Sequence, residues 1–309
     1  MNTKSLGNIS MTLSKICSGL NENSLRYLLP QWLSAYSGVV LRLVFGTVFF
    51  WITGFFTRRH TTPTTVSQCF RLFLLGAVCV FGYMFCLLEG LTYTTPISSS
   101  IFISMQPVWV FVICVCFLGE KVTRGKIGGI LLGLGGALII IFTQQSSDIA
   151  SDPMLGNMYC LASSVLYAIF LVLEKRLLLT IDNITVTKWT FLGGAASALV
   201  MICFTGWHAP VLTQGLFSTP MLVLLFVLVF PTSISYLLLA AGLRYLSATV
   251  VALYGYLILI VATVTSYILG QDRFDWWQMV SIAMIVASVY FVELAESRTS
   301  PQTPQTKQS

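Results

Sequence analysis

Residues 90–121 read GLTYTTPISSSIFISMQPVWVFVICVCFLGEK, and from Pro96 to Leu118 no side chain is charged. About 20 apolar residues span the hydrocarbon core of a bilayer as a helix. The run is closed by Gly119, a residue suited to the left-handed conformation that ends helices. Residues 242–272, GLRYLSATVVALYGYLILIVATVTSYILGQD, repeat this plan. Gly90-Leu91-Thr92-Tyr93 becomes Gly242-Leu243-Arg244-Tyr245, and Leu118-Gly119-Glu120-Lys121 becomes Leu269-Gly270-Gln271-Asp272. The two Gly-to-Gly distances are 29 and 28 residues, so the register is kept within one position. The flanking charges differ. Lys121, Arg124 and Lys126 follow the first glycine, whereas Asp272, Arg273 and Asp275 follow the second. Equivalent loops of opposite bias indicate two halves inserted upside down relative to each other, which five crossings per half would produce. Inverted repeats of this kind characterise secondary carriers, whose solute site lies between the repeats near the midplane.

The rest of the chain agrees with a membrane setting. Of 309 residues 56% are hydrophobic and only 9% charged, with a mean hydropathy of +0.84. A soluble domain carries about 25% charged residues because its surface meets water. Further apolar stretches are Leu33–Thr57, Cys69–Gly90, Gly125–Thr143, Leu155–Leu173, Ile184–Phe204, Pro220–Ala241 and Trp276–Leu294. No strand-like alternation argues for a barrel. Leu6–Leu28 is the weak case, interrupted by Lys15, Asn21, Glu22, Asn23 and Arg26. It lacks the continuous apolar core and cleavage site of a signal peptide. It reads as a tenth crossing, first in order, with a segment lying at the interface as the alternative. The expected fold is an all-α integral membrane protein of about ten helices in two inverted five-helix repeats, 6–144 and 153–295. A polar, disordered cytoplasmic tail, 296–309, holds Pro301 and Pro304.

Lys and Arg are retained on the cytoplasmic side of short loops. One set of alternate loops and termini holds Lys4; Arg58, Arg59 and Arg71; Lys121, Arg124 and Lys126; Lys175, Arg176 and Lys188; Arg244; Arg298 and Lys307. The opposite set has only Arg26 and Arg273, while Lys15 and Arg42 fall within spans. Both termini are therefore expected in the cytoplasm. The net charge of +6 reflects that retention, and no nucleic-acid surface is implied. The eight cysteines form no CxxC pair and lie mostly inside spans, where they read as small packing residues; neither metal nor cofactor is expected. His60 and His208 fall in loops on opposite sides, which argues against shared catalytic chemistry, so an enzyme is not expected. The loops are too short for a receptor's soluble domain.

Several motifs then carry a family likeness: Leu29-Pro30, Leu41-Arg42, Thr94-Thr95-Pro96, Gln106-Pro107, Leu118-Gly119-Glu120-Lys121 and the glycine-rich helix Gly128–Gly136. On these the chain resembles the EamA type of the drug/metabolite transporter superfamily over nearly its whole length. The resemblance implies a carrier in the bacterial inner membrane that exports small metabolites such as amino acids through a cavity lined by both halves. Its partners would be a small-molecule solute and the lipid bilayer, with the oligomeric state open. Two places depart from the pattern. Ser18-Gly19-Leu20-Asn21 lacks the aromatic residue that usually precedes the glycine, and Ile258 and Leu259 stand where a Tyr-x-Gln-Pro motif would continue from Tyr256. A lipid or amphiphile flippase and a decayed, non-transporting paralogue remain as alternatives.

Candidate solute-binding residues follow from position. Ser100, Ser104 and Pro107 share a helical face beside Gln106, and Pro107 has no N–H to offer the carbonyl of Ile103. That stripe reads either as cavity lining or as helix packing. Tyr254 and Tyr256 in the second half could stack on a solute or pack, and Tyr167 joins the cavity candidates. Asn21 is the family-matched polar residue of the first crossing. Arg42 is an ionisable group inside a span, which is costly unless it is paired or hydrated. Glu89 lies near the outer end of another span, as a partner for Arg42, a proton-coupling group or an interfacial carboxylate. Glu174-Lys175-Arg176 reads as a solvated helix end. Gly125, Gly129, Gly133 and Ala137 form a small-residue ladder for close helix packing. Without a nucleotide-binding motif, coupling to an ion gradient or downhill flow is expected.

Overall fold

Short polar caps delimit the helices. Ser34, Thr65, Asp152, Asp182 and Ser247 each accept a backbone N–H from the first turn of the helix that follows, satisfying a donor that the helix itself cannot use. Thr65 and Gln68 complete a reciprocal capping box. The computed structural model describes residues 3–29, 31–57, 64–93, 102–143, 152–268 and 276–299. Among these the structure is helical, without strands. The first half comprises α1 (Thr3–Leu28), α2 (Ala35–Phe56), α3 (Val66–Leu75), α4 (Phe81–Tyr93), α5 (Gln106–Leu118) and α6 (Arg124–Thr143). The second comprises α7 (Pro153–Leu178), α8 (Asn183–Thr205), α9 (Thr219–Val227), α10 (Ser235–Tyr245), α11 (Ala248–Leu253), α12 (Tyr256–Ile268) and α13 (Trp276–Thr299). Gly119 closes α5 at φ 64°, the left-handed cap its sequence calls for; Gly270 lies outside the described residues.

The repeat recurs in the irregularities. A π-helical turn, Gly76–Val80, joins α3 to α4, and another, Leu228–Ile234, joins α9 to α10. In the second, Pro231 removes an N–H from the helical ladder. The next crossing is broken in each half as well, at Met105 ahead of α5 and at Tyr254-Gly255 between α11 and α12. Runs that look continuous in sequence are thus hinged, and hinged alike.

Packing follows the same exchange rule. α1 lies on α10 and α12, while its counterpart α7 lies on α4 and α5. α2 packs on α8, α5 on α11, and α6 on α13. Each of these contacts between halves has a mate with the halves exchanged. The ladder on α6 works as its spacing suggests: a Cβ on Gly125 would stand 2.8 Å from Ala295, and one on Gly133 2.7 Å from the Ser288 hydroxyl, both on α13.

Among the described residues, five helical segments are long and apolar enough to cross a membrane by length and composition: Ala35–Phe56, Val66–Gly90, Met154–Leu178, Asn183–Thr205 and Thr219–Tyr245. Shorter apolar helices, Phe102–Leu118, Ala248–Val261 and Met279–Ala295, accompany them. α1 falls short of that standard yet is a continuous helix inside the bundle. Its Met11, Ser14, Lys15 and Asn21 are buried while Ile9, Leu13 and Ile16 face outward. The polar residues that weaken its hydropathy point at protein, and its apolar face is turned away. At its C-terminal end, α13 continues to Thr299, four residues into the stretch expected as tail. Ala295-Glu296 and Arg298 are good helix formers, and Pro301 is the first sequence signal to stop them. Residues 300–309 lie outside the described part.

Candidate functional site at the junction of the halves

Three buried cross-half hydrogen bonds share a property that identifies the centre of the molecule. Lys15 Nζ donates to the Tyr167 hydroxyl at 3.3 Å, across 152 positions. The hydroxyls of Tyr83 and Tyr236 meet across 153 positions. The Tyr256 hydroxyl donates to the Ser104 carbonyl at 3.0 Å, again across 152. The separation from Gly90 to Gly242 is the same 152. Each pair therefore joins a residue to its own equivalent in the other repeat. Only residues on a two-fold axis touch their own mates, so these pairs mark the pseudo-symmetry axis between the halves.

Around that axis the side chains form one connected cluster. The rings of Tyr83 and Tyr167 meet edge to face with centroids 5.2 Å apart. Phe191 meets Tyr236 edge-on at 4.9 Å, in space that Gly46 leaves open. Arg42 Nε donates to the Thr232 hydroxyl at 3.0 Å, and its guanidinium lies within electrostatic reach of Tyr83 and Tyr236. Thr232 belongs to the second π-helical turn, so the irregular backbone there sets a hydroxyl against the cation. Ser14 donates to the Ser235 carbonyl at 2.9 Å, and the Ser235 hydroxyl returns a bond to the Ser14 carbonyl at 3.0 Å. This double link fixes α1 against α10 beside Lys15. Lys15 is 5% exposed, whereas Arg42, Tyr167 and Tyr236 keep accessible surface.

Two buried polar atoms flank it without a hydrogen-bond partner: Asn21 Oδ1 on α1 and Glu174 Oε2 on α7. They are 153 positions apart, so they too are near-equivalents.

This architecture is matched by the model of the EamA-like transporter family, which covers residues 5–142 and 154–294, one match in each half. The chain belongs to the EamA-like transporter family. It is similar to the uncharacterized transporter YetK of Bacillus subtilis, 24% identical over 81% of this chain and 76% of that one. An uncharacterized transporter of Archaeoglobus fulgidus is 23% identical over 76% of this chain and 80% of its own. A crystal structure sharing 16% identity superimposes with a TM-score of 0.78 over 96% of this chain and 99% of the other, which shows the fold. The EamA-like chain is accordingly a multi-pass membrane protein and a membrane transporter.

Against that frame the expected site residues separate. Arg42, Tyr167, Ser104 and Tyr256 come together on or beside the axis. Ser100 lies outside the described residues. Pro107 and Gln106 begin α5 just past the break at Met105, and Pro107 is buried. At the same break the neighbouring Ser104 carbonyl is taken up by the Tyr256 hydroxyl. Tyr256 is consequently a strut between the halves, 2% exposed, rather than a stacking platform. Tyr254 points elsewhere. Its hydroxyl donates to Glu293 Oε1 at 3.5 Å, and Asn8 donates to the other carboxylate oxygen at 3.3 Å. Arg42 and Glu89 go to different partners, since Glu89 accepts from Tyr36. Glu174, expected in solvent, is 1% exposed, while its neighbour Lys175 bonds the Leu243 carbonyl at 2.6 Å and anchors the end of α10. Sequence reasoning passed over Tyr83, Tyr236 and Thr232. Superimposing the halves at a period of 152–153 would have found the tyrosine pair.

A small apolar dimple beside α2 is lined by Tyr36, Val39, Val40, Phe81, Phe85 and Ala198, with room for about one water molecule. Val39 stands one helical turn from Arg42, on the neighbouring flank of the same helix.

Proposed function

We propose that this protein is a secondary carrier that exports small metabolites, amino acids among them, across a bacterial inner membrane with both termini in the cytoplasm. The functional units are the repeats 6–144 and 153–295. The observation that carries this reading is the polar cluster on the axis between the halves, where buried Lys15 and half-buried Arg42 gather with three tyrosine hydroxyls. Ionisable groups at membrane depth are expensive and mark solute or ion pathways, and the interface of inverted repeats is where a carrier holds its solute. Asn21 and Glu174 supply polar stations on either side of the centre. Rocking of one half against the other would expose the cluster to each face in turn, with the hinged crossings absorbing the change. Glu89, held by Tyr36, is the candidate coupling carboxyl.

The test is flux of a metabolite panel, measured as accumulation and efflux in cells with and without the protein. Export of at least one solute, dependent on the protein, is the expected result. Equal fluxes throughout would reject the carrier. If Glu89 couples protons, Glu89→Gln abolishes the pH dependence of transport; unchanged pH dependence removes Glu89 from that role.

A further inference from the structure

We infer that the axial cluster is a binding site for an organic anion, and that Lys15 and Arg42 together hold the carboxylate of the solute. The inference rests on the carrier reading and names its substrate class. Neither cation stands within ion-pair distance of a carboxylate among the described residues; their partners are the neutral hydroxyls of Tyr167 and Thr232. Elsewhere the molecule does satisfy a buried cation, for Lys126 bonds Glu120 at 2.5 Å. A buried cation without a counter-ion is costly, and a bound anion offsets that cost.

The neutral groups in the cluster fit the same ligand. The hydroxyls of Tyr83 and Tyr236 are bonded to each other, so one of the two protons is held between them and the other is free to be donated to a carboxylate. Arginine and lysine differ usefully here. A guanidinium offers a planar fork to a carboxylate, and an ammonium offers a point charge. Two buried carboxyls lie on the packed helices: Glu89, six residues beyond Tyr83 on α4, and Glu174, seven residues beyond Tyr167 on α7, about 10 Å along the helix and within electrostatic reach of Tyr167 and Tyr236. Neither makes an ion pair with Lys15 or Arg42.

The two repeats also contribute unequally. Lys15 has Tyr167 as its equivalent, and both cations come from the first half. The charge that would hold an anion is therefore built on one side of the axis, so the carboxylate end of a solute has a defined orientation.

The experiment uses the full chain reconstituted in phosphatidylethanolamine–phosphatidylglycerol vesicles. The probes are radiolabelled leucine, glutamate and a short monocarboxylate, each beside its carboxamide, with a neutral sugar and a polyamine as further members. The expected result is flux of at least one carboxylate exceeding that of its amide by tenfold or more. Lys15→Met should abolish the preference, and Lys15→Arg should restore part of it. Arg42→Gln should raise KM for the carboxylate more than for any neutral solute, which remains decisive if Lys15→Met does not fold. Transport of amides, sugar or polyamine as fast as carboxylates, with both variants unchanged in preference, would overturn the anion site while leaving the carrier intact. Absence of flux for every probe from folded protein would overturn both.

Discussion

Tyr256 illustrates how one residue can be legible while its use stays open. Its sequence context singles it out, as an aromatic in the crossing that matches Pro96–Leu118, but an aromatic in a membrane helix has several uses. The structure spends its hydroxyl on the Ser104 carbonyl at 3.0 Å, because a broken helix in lipid must satisfy its freed backbone acceptors from within the protein. Tyr256→Phe keeps the ring and deletes that donor. A buried acceptor left unmet costs about 1–3 kcal/mol, so the variant should melt several degrees below the parent in detergent, followed by intrinsic fluorescence. An unchanged melting curve would show that the strut is dispensable. Glu174 was illegible for a different reason. Beside Lys175 and Arg176 it looks like a solvated helix end, yet α7 continues past it to Leu178 and α4, α5 and α10 pack along that helix. Tyr83 and Tyr236 carried no local signal at all. Their significance exists only as a pair, at the spacing of the repeat.

At the scale of elements, hydropathy found the crossings and missed their breaks. A π-helical turn changes the hydrogen-bond pattern without changing composition, so Gly76–Val80 leaves no trace in an apolar run; Pro231 at least gave a hint of the second. α1 was ambiguous because hydropathy averages both faces of a helix, and this one is polar toward its neighbours. The contact of α6 with α13 was the most readable, since only small residues permit it. Gly129→Leu tests that contact. A side chain there would drive into Val292, whereas nothing stands within 4 Å of a Cβ on the adjacent Gly128. Overpacking of this kind costs about 1–3 kcal/mol or more. Gly129→Leu should therefore lower the yield of monodisperse protein in size-exclusion chromatography, while Gly128→Leu leaves it near the parent level. Equal profiles for the two would mean that α6 and α13 are not held as described.

For the molecule as a whole, the decisive property is the sense in which each half crosses the membrane. Three axial pairs separated by 152 or 153 residues require a two-fold relation between the halves. A two-fold axis parallel to the membrane reverses the halves, and an axis along the membrane normal does not. Loop charge separates these cases, because Lys and Arg are held on one side. Lys121 follows Gly119 in a basic loop, while Asp272 follows the equivalent Gly270 in a loop of opposite bias. Under inversion these equivalent positions face opposite compartments; under a parallel repeat they share one. Lys121→Cys and Asp272→Cys, each placed in a background freed of the eight native cysteines, report the difference through a membrane-impermeant maleimide. Asp272→Cys should label in intact cells, and Lys121→Cys only after the membrane is opened. Labelling of both from outside, or of neither, would place the axis along the normal and remove the basis for the proposed midplane site, since alternating access between reversed halves is what would make the Lys15–Arg42 cluster reachable from each face in turn.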